Sequence, residues 1–360
     1  MARIKFRDAK LSRANKYRLD QVNGIIREYQ KQGYVLTLRQ LYYQLVSRDI
    51  IPNKQSEYSK LSNLLKEGRM RGIVDWSAIE DRLRKPYTPP SFDSPKEILE
   101  AARAQYQLPR MAGQKNYLEV WVEKDALSGV LKRVTSKYHI PILVNRGYSS
   151  ASSMFDSYER FADPIKEGRN CFILYLGDFD PSGVDMIRDV KDRTLEFLLN
   201  DRRVMARANE ATENDDVRAD LEDRYEYEDI PCLLTMDEDY SDEPFFDVCK
   251  AWVYDRFEVI PVALTREQIT QYDPPPNPAK RTDPRAKGFI EEHGATSWEV
   301  DALRPEILNL ILEESIAARV DLVMYKDIVD REQADKDKLQ QIIDDNYPGD
   351  DTEEAEDEDE

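Results

Sequence analysis

Residues 171–183 read Cys-Phe-Ile-Leu-Tyr-Leu-Gly-Asp-Phe-Asp-Pro-Ser-Gly, which spaces Asp178 and Asp180 by a single residue. In extended chain, side chains at i and i+2 point the same way, so both carboxylates face one spot. Hard anionic oxygens facing one spot suit Mg²⁺, which takes few carboxylates and keeps waters that phosphate can replace. A third acid, Glu123, closes the apolar-leaning stretch 117–122. The competing reading of the Asp-x-Asp run is turn chemistry, with an Asp at a helix N-terminus and Pro-Ser-Gly making the turn.

The elements that must position these acids are legible around them. Residues 171–176 form a continuous apolar run, as a buried strand of a parallel sheet does, and a helical pattern follows from Val184. Residues 117–122 predict another strand, with a helix from about Asp125 carrying Ala126, Val130, Leu131 and Val134 on one stripe. Each acid thus closes a strand that leads into a helix, where open α/β sheets bind their ligands. Glu after one strand and Asp-x-Asp after a later one resembles the Toprim domain of topoisomerases, primases and some nucleases. The resemblance implies that Glu123, Asp178 and Asp180 hold Mg²⁺ for phosphodiester chemistry.

At 360 residues the chain is long enough for two domains or more. A charged fraction of 34% and a mean hydropathy of -0.70 predict a soluble protein, with no apolar run of membrane-spanning length and no signal-peptide core. Cys171, Cys232 and Cys249 are scattered, as in a reduced cytoplasmic protein, and two histidines are too few for a His-based metal site. The net charge of -19 is divided unevenly. Residues 1–85 hold 19 Lys and Arg against 9 Asp and Glu, and the remainder holds 33 against 62. Residues 350–360 contain no base at all, a self-repelling block expected to be disordered. A basic front and an acidic back point to double-stranded DNA meeting the N-terminal part first, without a membrane partner.

That N-terminal part predicts a basic arm at 1–11 and a helix at 12–30 with Tyr17, Val22, Ile25, Ile26 and Tyr29 inward. Thr37 and Gln40 make a capping-box pattern at the start of a second helix, with Leu38, Leu41, Tyr42 and Leu45 on its buried face. Tyr43 falls off the centre of that stripe, toward boundary or solvent, and Arg39 stands one turn before it. A phenol can attack phosphorus, and a guanidinium beside it can hold the phosphate and favour the phenolate. An ordinary amphipathic surface residue is the plainer reading of this helix alone. A third helix at 56–71 places Tyr58, Leu61, Leu64 and Leu65 inward and Lys60, Lys66, Arg69 and Arg71 mostly outward, and Ile73, Val74 and Trp76 could begin a wing. Such a module puts its second helix in the major groove.

A winged-helix module with Arg39-Gln-Leu-Tyr-Tyr43, then Glu123, then Asp178-Phe-Asp180-Pro-Ser-Gly183, resembles the A subunit of topoisomerase VI and its meiotic double-strand-break relative. The likeness runs over roughly residues 35–330 and is nearest to the compact stand-alone versions, often called mini-A, of phages and mobile elements. It implies Tyr43 as nucleophile with Arg39 beside it, Mg²⁺ as cofactor, a homodimer in which the tyrosine of one protomer meets the metal site of the other, and DNA of the nucleoid or a mobile element as the place of action. A full topoisomerase VI also uses a separate ATP-binding B subunit, and no phosphate-loop motif for ATP occurs in this chain.

The expected architecture is α/β and multidomain. A basic arm and helix occupy 1–30, a winged-helix (CAP-like) DNA-binding domain 31–90, and a linker 91–116. A Toprim-type α/β domain with a parallel-sheet core follows at 117–275, then a basic loop and C-terminal helices at 276–345 and a disordered acidic tail at 346–360. A short strand at 142–144, a turn bearing Arg146, a strand at 257–264 and an apolar helix at 298–312 belong to this scheme. Arg146 and the basic residues Lys280 and Arg281 in the loop 273–287 join Lys60, Lys66, Arg69 and Arg71 as expected DNA contacts. The function expected is Mg²⁺-dependent DNA cleavage by tyrosine transesterification. The alternatives are a hydrolytic Toprim nuclease and a winged-helix DNA-binding protein without activity.

Overall fold

The computed structural model describes residues 5–7, 10–79, 89–145, 147, 149–225, 248–278, 283 and 285–348. The chain divides into two compact units, Met1–Arg84 with Lys115–Arg319, and Lys85–Gln114 with Val320–Glu360. The N-terminal helices and the sheet both fall in the first of these units.

The first unit opens with three helices. Helix α1 (Arg13–Lys31) starts where the Ser12 hydroxyl accepts the Asn15 N–H, and it buries Leu19, Val22, Ile25, Ile26 and Tyr29. Tyr17 lies about 140° around the helix from Val22, so it is exposed and not inward as the pattern predicted. Helix α2 (Leu38–Ser47) carries the expected capping box: Gln40 N–H donates to Thr37 Oγ1 and Thr37 N–H to Gln40 Oε1, at 3.3 and 2.9 Å. Helix α3 (Gln55–Met70) packs Leu61 and Leu65 into the same core. In place of a wing at 73–76, the chain makes one 3-10 turn, Trp76–Ala78, capped by Asp75. Only single bridges, Leu36 with Ile79 and Lys5 with Arg71, stand near it among the described residues.

After helix α4 (Pro95–Gln105) come β1 (Asn116–Val122), α5 (Asp125–Tyr138), β2 (Ile142–Val144), α6 (Ala151–Lys166) and β3 (Asn170–Leu176). Then follow α7 (Pro181–Asn200), α8 (Arg202–Thr212), α9 (Asp215–Arg224), α10 (Val248–Asp255) and β4 (Phe257–Ala263). The four strands form one parallel sheet in the order β2-β1-β3-β4. All four stand where the apolar runs predicted them. Period-two side-chain alternation gives the sheet two apolar faces. On one, Trp121, Cys171, Ile173 and Tyr175 join Met154, Phe161, Met186 and Val190 from α6 and α7. On the other side α5 packs on β1 and β2.

The chain runs outward from β1 to β2 and from β3 to β4, so the direction of travel reverses between β1 and β3. That switch point is where an α/β sheet opens a crevice at its carboxyl edge. Glu123 follows β1 and Asp178 follows β3, which puts both beside it.

The remainder of the unit is α11 (Arg266–Tyr272), β5 (Asn277–Pro278), α12 (Ala286–His293), β6 (Thr296–Ser297) and α13 (Pro305–Ala317). The apolar segment 298–312 is not one helix. Residues Val300–Ala302 form a 3-10 turn, and Pro305 begins α13 because proline suits a first helical turn. Trp298 pairs with Phe179 through two backbone hydrogen bonds of 2.9 and 3.0 Å, which ties this turn to the loop after β3.

In the second unit, α4 packs against α14 (Leu322–Asn346). Within the stretch 91–116 expected as a linker, the short helix read over 97–106 is present as α4 and has partners of its own. Arg103 donates to the Lys336 carbonyl, Tyr106 to Asp335, and Arg110 and the Leu108 N–H to Glu332. No helix among the described residues is long and apolar enough to cross a membrane.

Candidate functional site

Three peptide segments meet at the carboxyl edge of the sheet. The turn after β1 brings Glu123 and Lys124, the loop after β3 brings Asp178 and Asp180, and the 3-10 turn brings Glu299 and Asp301. Glu123 Oε2 accepts the Asp178 N–H at 3.0 Å. Asp178 Oδ1 accepts the Val300 N–H at 2.9 Å and lies 2.6 Å from Lys124 Nζ. The Lys124 ammonium also contacts Glu299 Oε2 at 3.0 Å and Asp301 Oδ1 at 2.9 Å.

Asp180 does two things at once. It is the N-cap of α7, its Oδ1 accepting the Gly183 N–H at 2.7 Å, as the turn reading expected. It also faces Glu123 closely enough to raise that carboxyl. The turn needs Gly183, because a Cβ there would stand 2.1 Å from the Asp178 carbonyl oxygen.

Too much negative charge is gathered here. Burial is the first cause that lifts Glu123, with Asp180 and Asp301 adding to it. Burial likewise pushes Asp178 up to about 7, helped by Glu123 and Asp301 and opposed by Lys124. Lys124, surrounded by Asp301, Asp178 and Glu299, is held firmly as a cation in spite of its burial.

Among the described residues no three His, Cys, Asp or Glu side chains form a ready-made metal ligand set. Mg²⁺ does not require one, since one or two carboxylates with water and phosphate complete its shell. Glu123, Asp178 and Asp180 each commit one oxygen to the fold. The donor type and the charge excess fit such an ion.

Tyr43 is brought to the other end of this cluster. Its angle on the helix sets it toward boundary or solvent, but it is 4% exposed. The cause is a second cover on α2. Besides α1 and α3, the 3-10 turn lies against α2, and Ala302 enters the core of the N-terminal helices. Every residue of α2 from Gln40 to Val46 is consequently buried. Tyr43 still lines a groove of about 300 Å³ with Arg39, Tyr42, Asn53, Lys54, Tyr58 and Glu299 among its walls.

Arg39 is not a free phosphate ligand in this state. It pairs with Glu299, and its Nε lies 2.8 Å from Asp301 Oδ2. Nor is the phenolate favoured. Burial, then the nearby charges of Asp301 and Glu299, hold the Tyr43 phenol above its ordinary value, with Arg39 opposing. Glu299 itself is lowered to about 2, because Lys124 and Arg39 outweigh its burial.

Comparison with protein-family models, with curated proteins and with solved structures finds no match to this chain. The site is therefore read from its own geometry.

The expected DNA contacts fare unequally. Lys60 and Lys66 are exposed on α3, although Lys60 also pairs with Glu57 at 2.7 Å. Arg69 and Arg71 are corrections. Arg69 donates to the carbonyls of Trp76 and Ile79 and so braces the turn after α3, while Arg71, half-buried, folds back on Glu67 of α3. Arg146, Lys280 and Arg281 lie outside the described residues, as do Cys232 and the acidic tail 350–360.

Lys124, Glu299 and Asp301 were missed from sequence. Lys124 had a signal, a lone cation directly after the strand-closing acid. Glu299 and Asp301 fall inside the segment 298–312 expected as one apolar helix. Their alternation, Glu-Val-Asp between Trp298 and Ala302, repeats the one-residue spacing of Asp178 and Asp180.

Proposed function

We propose that this chain is a Mg²⁺-dependent DNA-cleaving transesterase of the topoisomerase VI A-subunit type, with Tyr43 as nucleophile. One observation carries the reading. Arg39, which stands over the Tyr43 ring, connects through Glu299 to Lys124 and so to Asp178, at the switch point of a parallel sheet. A phenol, a guanidinium and an acidic corner are the parts that phosphotyrosyl chemistry needs, and here they are neighbours within one chain, whereas the resemblance implies that the phenol of one protomer meets the acids of its partner.

Glu123, Asp178 and Asp180 would hold the divalent ion. When bound, that ion neutralises charge at the scissile phosphate and orients the strand. Arg39 changes partner from carboxylate to phosphate, which it can grip through two N–H groups. Tyr43 attacks phosphorus, and the sugar oxygen of the cut strand leaves. The energy of the broken bond stays in the phosphotyrosyl link, so the step is reversible. Each chain supplies one Tyr43, and a duplex break takes two chains. A homodimer on double-stranded DNA, a winged-helix role for α1–α3, a Toprim role for the sheet, action in the cytoplasm on nucleoid or mobile-element DNA and a separate ATPase partner for strand passage all belong to this proposal.

The test is incubation with supercoiled plasmid and Mg²⁺ or Mn²⁺, followed by denaturation with and without protease. The expected product is cut or nicked DNA whose mobility changes on digestion, abolished in Tyr43→Phe. An adduct persisting in Tyr43→Phe overturns the assignment. The burial of Tyr43 favours one second reading, a hydrolytic nuclease in which metal-bound water attacks. Cleavage that leaves no bound protein and survives Tyr43→Phe would select it.

A further inference from the structure

We infer that Glu299 is the group that takes the phenolic proton when Tyr43 attacks DNA, which makes it a catalytic residue carried on the same chain as the nucleophile. The inference rests on the transesterase reading and deepens it.

A neutral phenol is a poor nucleophile, and attack on phosphorus requires its proton to leave. A candidate base must be able to come within hydrogen-bond reach of that proton, and Glu299 pairs with Arg39, whose guanidinium carbon lies 6.0 Å from the centroid of the Tyr43 ring. It also lines the groove that Tyr43 lines, which is the path by which a phosphodiester reaches the phenol. The charged and titratable groups around the pair are Arg39 and Tyr42 on α2, Lys54 and Tyr58 near and on α3, Lys124 after β1, and Asp301 on the same turn as Glu299. No histidine is among them. Arg39 and Lys124 are cations and cannot accept the proton. Asp301 is wholly buried between those two cations. That leaves Glu299 as the acid at hand with access to the groove.

Before DNA arrives, Arg39 and Lys124 both contact Glu299 and hold it as a weak base. A phosphate in the groove competes for Arg39. As the guanidinium turns to it, Glu299 loses a counter-charge and its affinity for a proton rises at the moment the phenol must give one up. The step balances without a co-reactant. The Tyr43 Oη–H bond breaks and its proton goes to Glu299. The Tyr43 Oη–phosphorus bond forms as the bond from phosphorus to the sugar oxygen breaks. That oxygen receives a proton from solvent, and Glu299 returns its own to solvent. On resealing, the same carboxylate hands the proton back to the phenol.

The test compares wild type, Glu299→Gln and Glu299→Asp for the rate of covalent adduct formation on plasmid DNA from neutral to alkaline pH. Glutamine keeps the shape and the Arg39 side of the contact but cannot take a proton. The expected loss in Glu299→Gln is about a hundredfold or more near neutrality. It should narrow as rising pH ionises the phenol unaided, and Glu299→Asp should recover part of the rate. Placing a fluorotyrosine of lower phenol pKa at position 43 should rescue Glu299→Gln and change wild type little. A uniform loss at all pH values, or none, overturns the inference while leaving Tyr43 as nucleophile. A wild type that forms no adduct overturns this inference and the transesterase reading together.

An activity-independent readout stands beside it. In ultraviolet difference titration against Tyr43→Phe, the phenol should ionise at lower pH in Glu299→Gln than in wild type. An unchanged titration would mean that the carboxylate does not hold the phenolic proton, and it overturns the inference even for a variant inactive on DNA.

Discussion

Lys124 Nζ lies 2.6 Å from Asp178 Oδ1 and is shared with Glu299 and Asp301, so one ammonium ties the sheet edge to the 3-10 turn. Asp301 has no exposed side-chain surface and relies on Lys124 and Arg39 for its charge balance. Removing one partner of a buried ion pair leaves the other charge stranded, at a cost of about 3–5 kcal/mol. Lys124→Met should therefore lower the urea midpoint of unfolding by a correspondingly large amount. Mg²⁺ should restore more stability to this variant than it adds to wild type. A midpoint unchanged by the substitution would show that the ammonium does not hold the cluster together.

Asp180 allows cap and charge to be separated. Asp180→Ala removes the acceptor of the Gly183 N–H and should cost about 1 kcal/mol in chemical denaturation. Asp180→Asn keeps that acceptor, so its stability should stay close to wild type. Both variants should lose the Mg²⁺-dependent rise in melting temperature expected of wild type. Retention of that rise in Asp180→Asn would remove Asp180 from the ion's ligands.

Gly183→Ala is expected to be costly out of proportion to its size. The new Cβ would need to overlap the Asp178 carbonyl oxygen at 2.1 Å, and the obstacle is backbone rather than a pliable side chain. Overpacking of this kind costs about 1–3 kcal/mol and more where backbone must move. Because the displaced carbonyl belongs to Asp178, Mg²⁺ affinity should fall with stability. Calorimetric titration and thermal unfolding of the same variant measure both.

The second unit gives a pH prediction independent of the site. Glu332 is nearly buried, which pushes its carboxyl up, but Arg110, Lys336 and the Leu108 N–H outweigh burial and bring it from 4.5 to about 2. A carboxyl lowered by folding stabilises the folded form above its ordinary titration range. That contribution is lost as pH falls from about 4.5 toward 2. Hydrogen exchange of the α4 and α14 amides should accelerate over this window in wild type. In Glu332→Gln, exchange should already be fast at neutral pH and respond little to acid.

The sheet was legible because its strands carry their own evidence. The run from Cys171 to Leu176 is apolar throughout, and only a strand covered on both faces demands that. The acids at the strand ends followed from the same reading, as did the Thr37–Gln40 capping box. Tyr43 misled because helical periodicity reports one buried face. A second cover from residues 300–302, far along the chain, leaves no trace in the local pattern of α2. Glu299 and Asp301 were hidden for a related reason. Their apolar neighbours predicted a helix, whereas backbone pairing of Trp298 with Phe179 holds the segment extended before it turns. The arginines of α3 looked solvent-facing by angle, but Arg69 reaches forward to the carbonyls of the turn that follows and Arg71 reaches back to Glu67.

Pairing of β1 with β3 runs in register over seven residues, from Asn116 with Asn170 to Val122 with Leu176. The relative height of Glu123 and Asp178 is thus fixed by the ladder itself and not by the chain that joins them. The turn between α6 and β3 lies at the opposite rim, so residues inserted there, or new termini opened there by circular permutation, should leave the acid corner in alignment.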